Sequence, residues 1–325
     1  MKILYIGTYA KHCSDKYRLK GFKEAGNEVV TFDYRLVNNN EGTEALKTYI
    51  IHYLYSFNPD IVFVNKGEVI RQEIIEECKN FFPSVWVLFY GDVRDDIAPH
   101  LRRVARCYDA ILVNSNDRKY NKKFRDIGAK KVMYHHTATD LDEFYKMDVP
   151  EVYDIGFFGG NYKNIFPDSG LRRDIVNKLN KSFKMLVLGH NWEMGQRPVF
   201  GEELVRAMSS CKIILGINAF NDINLYTSNR TWNSMACGTY FTYYFKGIDQ
   251  MFSNGNELVW FNEYDGLEYW IRSYLDNPNN RRRVYENGRL LIGQKQTYKH
   301  RSHELEKIYK ELKNDTIVQA TNVSA

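Results

Sequence analysis

The sequence predicts an α/β protein made of two doubly wound domains in tandem. Short apolar runs, rich in β-branched and aromatic residues, alternate with helical segments along both halves of the chain. Runs that are apolar throughout are typical of parallel strands covered by helices on both faces. The alternation pauses once, at the polar segment Thr137–Pro150, and then starts again. A chain of 325 residues has room for two such cores.

The first half is predicted to contain six strands with five helices between them. The strands are Lys2–Ile6, Val29–Phe32, Ile61–Val64, Val85–Tyr90, Ala110–Asn114 and Lys131–His135. The helices are Lys16–Ala25, Thr43–Phe57, Val69–Phe81, Asp95–Cys107 and Asp117–Ile127. Gly26, Pro59 and Gly128 follow helix ends, as glycine and proline commonly do. Strand–helix–strand repetition indicates a parallel sheet.

A second series of the same kind follows Pro150. The predicted strands are Asp154–Phe158, Lys184–Leu188, Lys212–Asn218, Tyr240–Tyr243 and Leu258–Phe261. The predicted helices are Gly170–Leu179, Glu202–Ser209, Arg230–Cys237, a segment beginning near Leu267, Arg281–Ile292 and His300–Leu312. We therefore expect an N-terminal domain over residues 1–148 and a second domain over 149–299. A helix over 300–313 should pack back towards the N-terminal domain, and the polar residues 314–325 should form a flexible tail.

Composition excludes several classes of protein. The five cysteines are scattered without a C-x-x-C pair, which indicates reduced thiols in a cytoplasmic protein and gives no zinc pattern. No run is long enough to cross a membrane. The net charge of +5 is modest, but residues 94–131 hold 11 basic and 5 acidic residues. The solvated outer faces of two helices account for that stretch more simply than a polyanion site.

Several nucleotide-binding motifs are absent. Gly7 follows the first strand, but Thr8 and Tyr9 come next, so the G-x-G-x-x-G dinucleotide motif is missing. There is no G-x-x-x-x-G-K-[ST] phosphate loop, no G-x-S-x-G and no H-E-x-x-H. Asp92 follows the fourth strand, where it can line a cleft, whereas Asp95 and Asp96 suit the first turn of a helix. We therefore predict no metal site and no resident cofactor.

The segment Asn224–Gly238 combines capping residues, an arginine and small residues. Thr227, Ser228 and Asn229 can cap a helix that begins near Arg230. A helix N-terminus beside an arginine is suited to bind a diphosphate. An ordinary capped helix with one surface arginine explains the segment equally well at this point.

This segment also resembles a known family. Ser228–Gly238, the strand Tyr240–Tyr243 and the run Phe252–Leu258 are similar to the glycosyltransferase group 1 pattern, and most of all to the CgeB-type spore-maturation proteins. Other matching pieces occur in the expected order: Asp154–Gly160, Gly170–Arg173, Leu186–Trp192 and Thr297–Arg301. The resemblance implies a GT-B fold, in which two Rossmann-like domains face each other across a cleft. Specific motifs carry the resemblance over Asp154–Arg301. In the N-terminal half, only the order of strands and helices is similar.

The resemblance also implies that the second domain, over residues 149–299, binds a nucleoside diphosphate sugar and that the N-terminal domain, over residues 1–148, forms the acceptor side. The implied donor-binding residues are Arg230, Ser228, Asn229, Thr231, Asn233, Gly159, Gly160, Gly189, His190, Asn191, Trp192 and Gly7. Arg230 would contact the diphosphate, and Gly189–Trp192 would border the base. Asn233 occupies the position where the family has an acid for the ribose diol, and Leu225 replaces a second acid. An amide accepts a hydroxyl hydrogen bond without charge assistance.

Catalytic candidates come from the predicted strand ends of the N-terminal half. An inverting transfer needs a general base, for which Asp92, His136 and His12 are predicted in that order. A retaining transfer mainly needs the leaving phosphate neutralised, for which Arg230 is the natural group.

The resulting hypothesis is a metal-independent, hexosyltransferase-like glycosyltransferase in the cytoplasm. It would transfer a sugar from a nucleoside diphosphate donor, a UDP-sugar by preference, to a hydroxyl of a glycan, protein or small molecule. The alternatives are a glycosyltransferase that acts on modified DNA bases and a catalytically inactive sugar- or nucleotide-binding GT-B protein. Nucleic acid is therefore kept as an alternative partner, and no membrane span is expected.

Overall fold

The computed structural model describes residues 1–10, 13–162 and 165–323, with side chains as far as Asp315. The chain divides into two compact units. The first comprises Met1–His136 with Tyr298–Ala325, and the second comprises Thr137–Thr297. No helix in the described ranges is both long and apolar enough to cross a lipid bilayer.

The first unit contains a parallel six-stranded sheet. Its strands are β1 (Lys2–Gly7), β2 (Glu28–Asp33), β3 (Ile61–Asn65), β4 (Val85–Tyr90), β5 (Ala110–Val113) and β6 (Val132–Tyr134), in the order β2-β1-β3-β4-β5-β6. Its helices are α1 (Asp15–Glu24), α2 (Tyr34–Glu41), α3 (Thr43–Phe57), α4 (Gln72–Phe81), α5 (Pro99–Val104), α6 (Arg118–Asp126) and α12 (Tyr298–Val323). The apolar residues of β1, β3, β4 and β5 are almost completely buried, as expected of a sheet covered on both faces, whereas most residues of the edge strands β2 and β6 are partly exposed.

The C-terminal helix α12 packs against α1 within this unit. Gly21 of α1 lies so close to the backbone of Tyr298 that an added Cβ would be 2.5 Å from its carbonyl carbon. Leu305, Ile308 and Leu312 of α12 join the core formed by the sheet. The helix continues to Val323, whereas the sequence analysis placed a flexible tail from residue 314.

The second unit contains a parallel five-stranded sheet. Its strands are β7 (Tyr153–Phe158), β8 (Met185–Leu188), β9 (Cys211–Gly216), β10 (Tyr240–Tyr243) and β11 (Val259–Phe261), in the order β11-β10-β9-β7-β8. Its helices are α7 (Ser169–Ser182), α8 (Glu202–Ser209), α9 (Asn229–Cys237), α10 (Leu267–Leu275) and α11 (Pro278–Lys295). Its core joins Phe157, Val176 and Leu215 with Phe241 and Val284.

The segment Thr137–Pro150 is part of the second unit, so that unit begins earlier than the predicted boundary at residue 149. Phe144 is buried, and the backbone N–H of Met147 donates to Ser209 Oγ at 2.9 Å. These contacts attach the segment to the second unit. The polar composition and the final proline, on which the predicted boundary rested, do not indicate such contacts. The helix α2 was not predicted either, since its sequence is rich in asparagine, a residue typical of turns.

Each sheet has a point where the strand order reverses. In the first sheet this point lies between β1 and β3, and in the second it lies between β7 and β9. Ligands of open parallel sheets bind outside the carboxyl ends of the strands at such a point. The loops that follow these four strands are therefore the first places to look for a site.

Candidate functional site

The reversal point of the second sheet brings two predicted glycines beside the start of a helix. Gly159 and Gly160 follow β7, and α9 begins at Asn229. A Cβ built on Gly159 would lie 2.9 Å from Arg230 Nη1 and 3.0 Å from Arg230 Cζ. The guanidinium group of Arg230 therefore packs against the Gly159 loop, and a side chain at position 159 would have to displace it. The structure thus places Gly159, Gly160 and Arg230 together, as the sequence analysis expected.

The N-terminus of α9 is not capped by a side chain. Ser228 is the N-cap residue, yet its hydroxyl makes no capping hydrogen bond to the helix. The first N–H groups of a helix have no partner inside the helix. In α9 the Thr231 N–H already donates to Ser228 O at 3.1 Å, and the N–H dipoles of this first turn add to the positive potential beside Arg230.

The other predicted hydroxyl residues at this helix end bond to one another. Thr227 Oγ1 forms a short hydrogen bond with Thr231 Oγ1, which also lies 3.3 Å from the Tyr240 hydroxyl. Thr227 and Thr231 are buried, whereas Ser228 and Asn229 are partly exposed. The hydroxyl cluster thus anchors the helix start, and Ser228 and Asn229 are the residues accessible to a ligand.

Sequence analysis missed a second arginine at this site, Arg172. It is 3% exposed, and its guanidinium donates to Ile217 O at 3.1 Å from Nε and 2.8 Å from Nη2, and to Gly160 O at 3.2 Å from Nη1. Arg172 thereby joins the loops that follow β7 and β9. The signal in the sequence is an arginine on the apolar face of α7, at offsets of three, four and seven from the buried Ile175, Val176 and Leu179.

Arg172 and Arg230 form a region of concentrated positive charge. Burial, followed by the nearby charge of Arg230, lowers the pKa of Arg172 to about 10. Asp168 is an adjacent acid, but burial raises its pKa, and its Oδ2 already accepts from the Asn221 N–H at 2.7 Å. Two close guanidinium groups repel each other, so an anion placed between them and the helix N-terminus is stabilised.

The loop after β8 contains the residues predicted to border a base. A Cβ on Gly189 would be 2.2 Å from Gly159 O, so position 189 must be glycine for the two loops to pack. Trp192 is buried, and its indole N–H donates to Gly159 O at 2.6 Å. Trp192 therefore supports the glycine loop from inside the core and does not offer an open stacking face. His190 and Asn191 are exposed on this loop, with Asn191 in the left-handed region at φ 66°.

Asn233 lies in the middle of α9 and is 9% exposed. Its Oδ1 accepts a hydrogen bond from Thr139 Oγ1 at 2.7 Å. The predicted acceptor of a ribose hydroxyl is therefore already engaged with the segment that begins the second unit, and one lone pair of the amide oxygen remains.

In the first unit, Asp92 follows β4 at the carboxyl edge of the sheet. Its Oδ2 accepts from Lys66 Nζ at 2.7 Å, and both side chains are more than one-third exposed. Lys66 has a left-handed backbone at φ 65° immediately after β3. Asp92 is thus accessible but paired with a cation.

The remaining candidates of the first unit are less accessible. His136 is 2% exposed and packs edge-to-face against Tyr134. Gly7 packs against the buried carboxylate of Asp15, because a Cβ at position 7 would be 3.0 Å from Asp15 Oδ1. This close packing explains the glycine at position 7. His12 lies outside the described residues.

Residues 172–307 match the family described as Glycosyl transferase-like. No curated protein matches at the level of sequence.

Three solved structures illustrate the structural likeness. Sucrose-phosphate synthase of Thermosynechococcus elongatus has a TM-score of 0.67 and 12% identity over 97% of this chain and 100% of its own. Anabaena HepE in complex with UDP and glucose has a TM-score of 0.65 and 11% identity over 96% of this chain and 100% of its own. The DNA-modifying enzyme β-glucosyltransferase has a TM-score of 0.65 and 11% identity, with coverage of 96% and 100%.

The chain has the GT-B fold. The matched family segment contains Arg172, Arg230 and α9, so it includes the cationic site. The structural likeness confirms the predicted fold, and the family match over residues 172–307 supports the general glycosyltransferase class predicted from the sequence.

Proposed function

We propose that this glycosyltransferase takes its sugar from a nucleoside diphosphate donor, with a UDP-sugar preferred, and transfers it to a hydroxyl acceptor. The observation that supports the donor class most directly is Arg230 lying on the Gly159 backbone beside the uncapped start of α9. A diphosphate is the anion that such a combination of guanidinium and helix N–H groups suits. UDP is favoured because HepE is described in complex with UDP and glucose.

The chemistry requires the departing diphosphate to be stabilised. The acceptor oxygen forms a bond to the anomeric carbon, the bond from that carbon to the diphosphate oxygen breaks, and the diphosphate leaves with the electron pair. Arg230 and the α9 N–H groups would neutralise this growing charge, and Arg172 would hold the two loops in place. We therefore propose a reaction that needs no metal ion, because these cationic groups occupy the role that a divalent ion has elsewhere.

The acceptor hydroxyl loses its proton in either case, to a side-chain base if the reaction inverts configuration and to the departing diphosphate oxygen if it retains it. Asp92, His136 and His12 remain the proposed candidates. We place Asp92 first because its side chain is 43% exposed, whereas His136 is 2% exposed. Lys66 would have to release this carboxylate, or orient it, when the acceptor binds.

We also propose a subfamily and a cellular location, both of which rest on the sequence. The run Ser228–Gly238 supports a place among CgeB-like glycosyltransferases. The five cysteines are all free thiols, which supports a cytoplasmic location.

A donor panel tests the proposal. The protein is incubated with UDP-, GDP- and dTDP-sugars, and its melting temperature and the slow hydrolysis of each donor are measured. Stabilisation and hydrolysis with UDP-sugars support the proposal, because a ligand that binds only the folded state stabilises it. Stabilisation without hydrolysis favours the alternative of a catalytically inactive binding protein, and no response to any donor contradicts both.

A second candidate acceptor is DNA, as in the DNA-modifying β-glucosyltransferase. The exposed faces of α5 and α6 support it, since they contain Arg102, Arg103, Arg118, Lys119, Lys122 and Arg125. Arg102 pairs with Asp96 and Lys122 with Asp126, so part of the charge is neutralised locally. Binding of duplex DNA that weakens steeply with salt would favour this acceptor, and salt-insensitive or absent binding would exclude it.

A further inference from the structure

A cavity of about 330 Å³ lies in the first unit, among residues that the proposed donor site does not use. It is bordered by the residues that follow β3, including Glu68, Ile70 and Arg71, and by His100, Arg103 and Val104 of α5. Its volume falls in the range of small-molecule sites, roughly 300–1,000 Å³.

The polar groups of this cavity are held in place by partners around it. Glu68 accepts hydrogen bonds from the Tyr34 hydroxyl and from Arg35. Burial raises the pKa of Glu68, but the hydrogen bonds from Tyr34, the backbone and Arg35 outweigh it and lower that pKa below its ordinary value. Glu68 is therefore a fixed carboxylate at neutral pH, with oxygen atoms that only accept.

His100 adds a neutral hydrogen-bonding group. Its Nε2 lies 3.3 Å from Lys66 O, and because a carbonyl oxygen can only accept, Nε2 donates its proton there. Nδ1 is then the ring nitrogen that remains as an acceptor. Burial lowers the pKa of His100, which keeps the imidazole neutral.

Arg103 supplies donors to the same cavity. It is exposed, and among the described residues it has no ion-pair or hydrogen-bond partner. Ile70 and Val104, which are 2% and 3% exposed, add an apolar surface. The cavity thus combines acceptors at Glu68 and His100, donors at Arg103 and an aliphatic wall.

We propose that this cavity is a binding site for a saccharide or a related polyol of about monosaccharide size. Hydroxyl groups both donate and accept, so a single polyol can donate to His100 Nδ1 and Glu68 while it accepts from Arg103. Its C–H face can pack on Ile70 and Val104. An inorganic anion could bind Arg103 and Arg71, but Arg71 is paired with Glu44 at 2.8 Å, and the carboxylates of Glu68 and Glu73 at the same cavity disfavour an anion. None of the lining residues belongs to the proposed donor site, and the proposal does not rest on the transfer reaction.

The test is direct binding by the full-length protein. Saturation-transfer NMR is recorded with glucose, galactose, N-acetylglucosamine and myo-inositol, each with and without saturating UDP. We expect binding of at least one of them that persists in the presence of UDP. Arg103→Ala should weaken that binding by about tenfold, as expected for one lost hydrogen bond from a charged group. Arg102→Ala, on the neighbouring residue outside the cavity, should leave it unchanged.

A second variant addresses the histidine. His100→Phe removes the acceptor nitrogen and should abolish binding, and its melting curve shows whether it is folded. If it fails to fold, the exposed Arg103 and Arg102 variants still decide the question. Four outcomes would overturn the proposal. They are that none of the four probes binds, that UDP displaces all of them, that both arginine variants lose binding equally, or that inorganic phosphate binds in their place.

Discussion

The guanidinium of Arg230 lies against the backbone of Gly159 without room for a methyl group, which would be 2.9 Å from Nη1. This contact joins the loop after β7 to the start of α9. Gly159 does not have a left-handed backbone, so its lack of a side chain matters for space and not for conformation. The position of Arg230, the cation that we propose binds the phosphate, therefore depends on a residue without a side chain.

Gly159→Ala should weaken UDP binding by displacing Arg230. A shift of the guanidinium removes a charge-assisted hydrogen bond worth roughly 1.5–3 kcal/mol, so we expect about a tenfold or larger loss of affinity. Isothermal titration calorimetry with UDP measures it. Gly170→Ala is the matched control, since a Cβ there has only the end of Arg173 at 4.0 Å. That variant should keep UDP affinity and gain a little helix stability. Equal UDP affinity in both variants would contradict the role given to Gly159.

Arg230→Ala should reduce UDP binding more than Arg230→Lys does. Lysine keeps the positive charge but cannot offer the planar pair of donors that a phosphate accepts. Arg173→Ala is the control, because Arg173 is partly exposed and pairs with Asp174. Thermal shift with and without UDP compares the three variants. Undiminished stabilisation of Arg230→Ala by UDP would refute the phosphate role.

The fold could be predicted because buried parallel strands consist of short runs of apolar residues, which are visible in the sequence. β4 and β10 were predicted with the bounds that the structure shows, since runs such as Val85–Tyr90 are apolar throughout. The attachment of Thr137–Pro150 to the second unit could not be predicted in the same way. It depends on tertiary contacts, such as Thr139 with Asn233, between residues far apart in the sequence.

The part of the candidate site that could be predicted is the part in which glycines let neighbouring segments pack closely. Gly159, Gly189 and Arg230 meet as the resemblance implied, since each glycine leaves room for a neighbouring loop or side chain. Arg172 and the inward position of Trp192 were not foreseen, because the direction of a side chain is decided by packing and not by motif spacing. A charge on the apolar face of a helix is a sequence signal that would have indicated Arg172.

Arg172→Leu should destabilise the second unit. The substitution leaves the carbonyl oxygens of Ile217 and Gly160 without their buried donor, which costs about 1–3 kcal/mol. UDP affinity should fall as well, because the Gly160 loop loses its link to the loop after β9. Urea unfolding and UDP titration measure the two effects. Arg173→Leu, one residue along α7 at a partly exposed position, should change neither by more than a few tenths of a kcal/mol. If both variants are equally stable, the buried hydrogen bonds of Arg172 do not support the site.

The stability of the protein should fall as the pH is lowered through the range of histidine. His135 is fully buried against Phe89 in the first unit. Burial lowers its pKa, Glu304 acts in the opposite direction at 3.4 Å, and the charges of Arg18 and Arg301 lower it further. The folded state therefore binds this proton less well than the unfolded chain does, whose histidine titrates near pH ~6.5. The free energy of unfolding is unaffected above that pH and decreases below it, down to the lowered pKa of the folded state.

His135→Gln should reduce this loss of stability, because glutamine takes up no proton. Part of the pH dependence should remain, since the pKa values of His100 and His300 are also lowered by burial. His52→Gln is the control, because His52 is exposed on α3. Urea midpoints at about pH 5.5 and about pH 7.5 are compared for the three proteins. The change in urea midpoint between the two pH values should be smaller in His135→Gln than in the unaltered protein. An equal change in the two proteins would show that His135 does not govern the acid sensitivity.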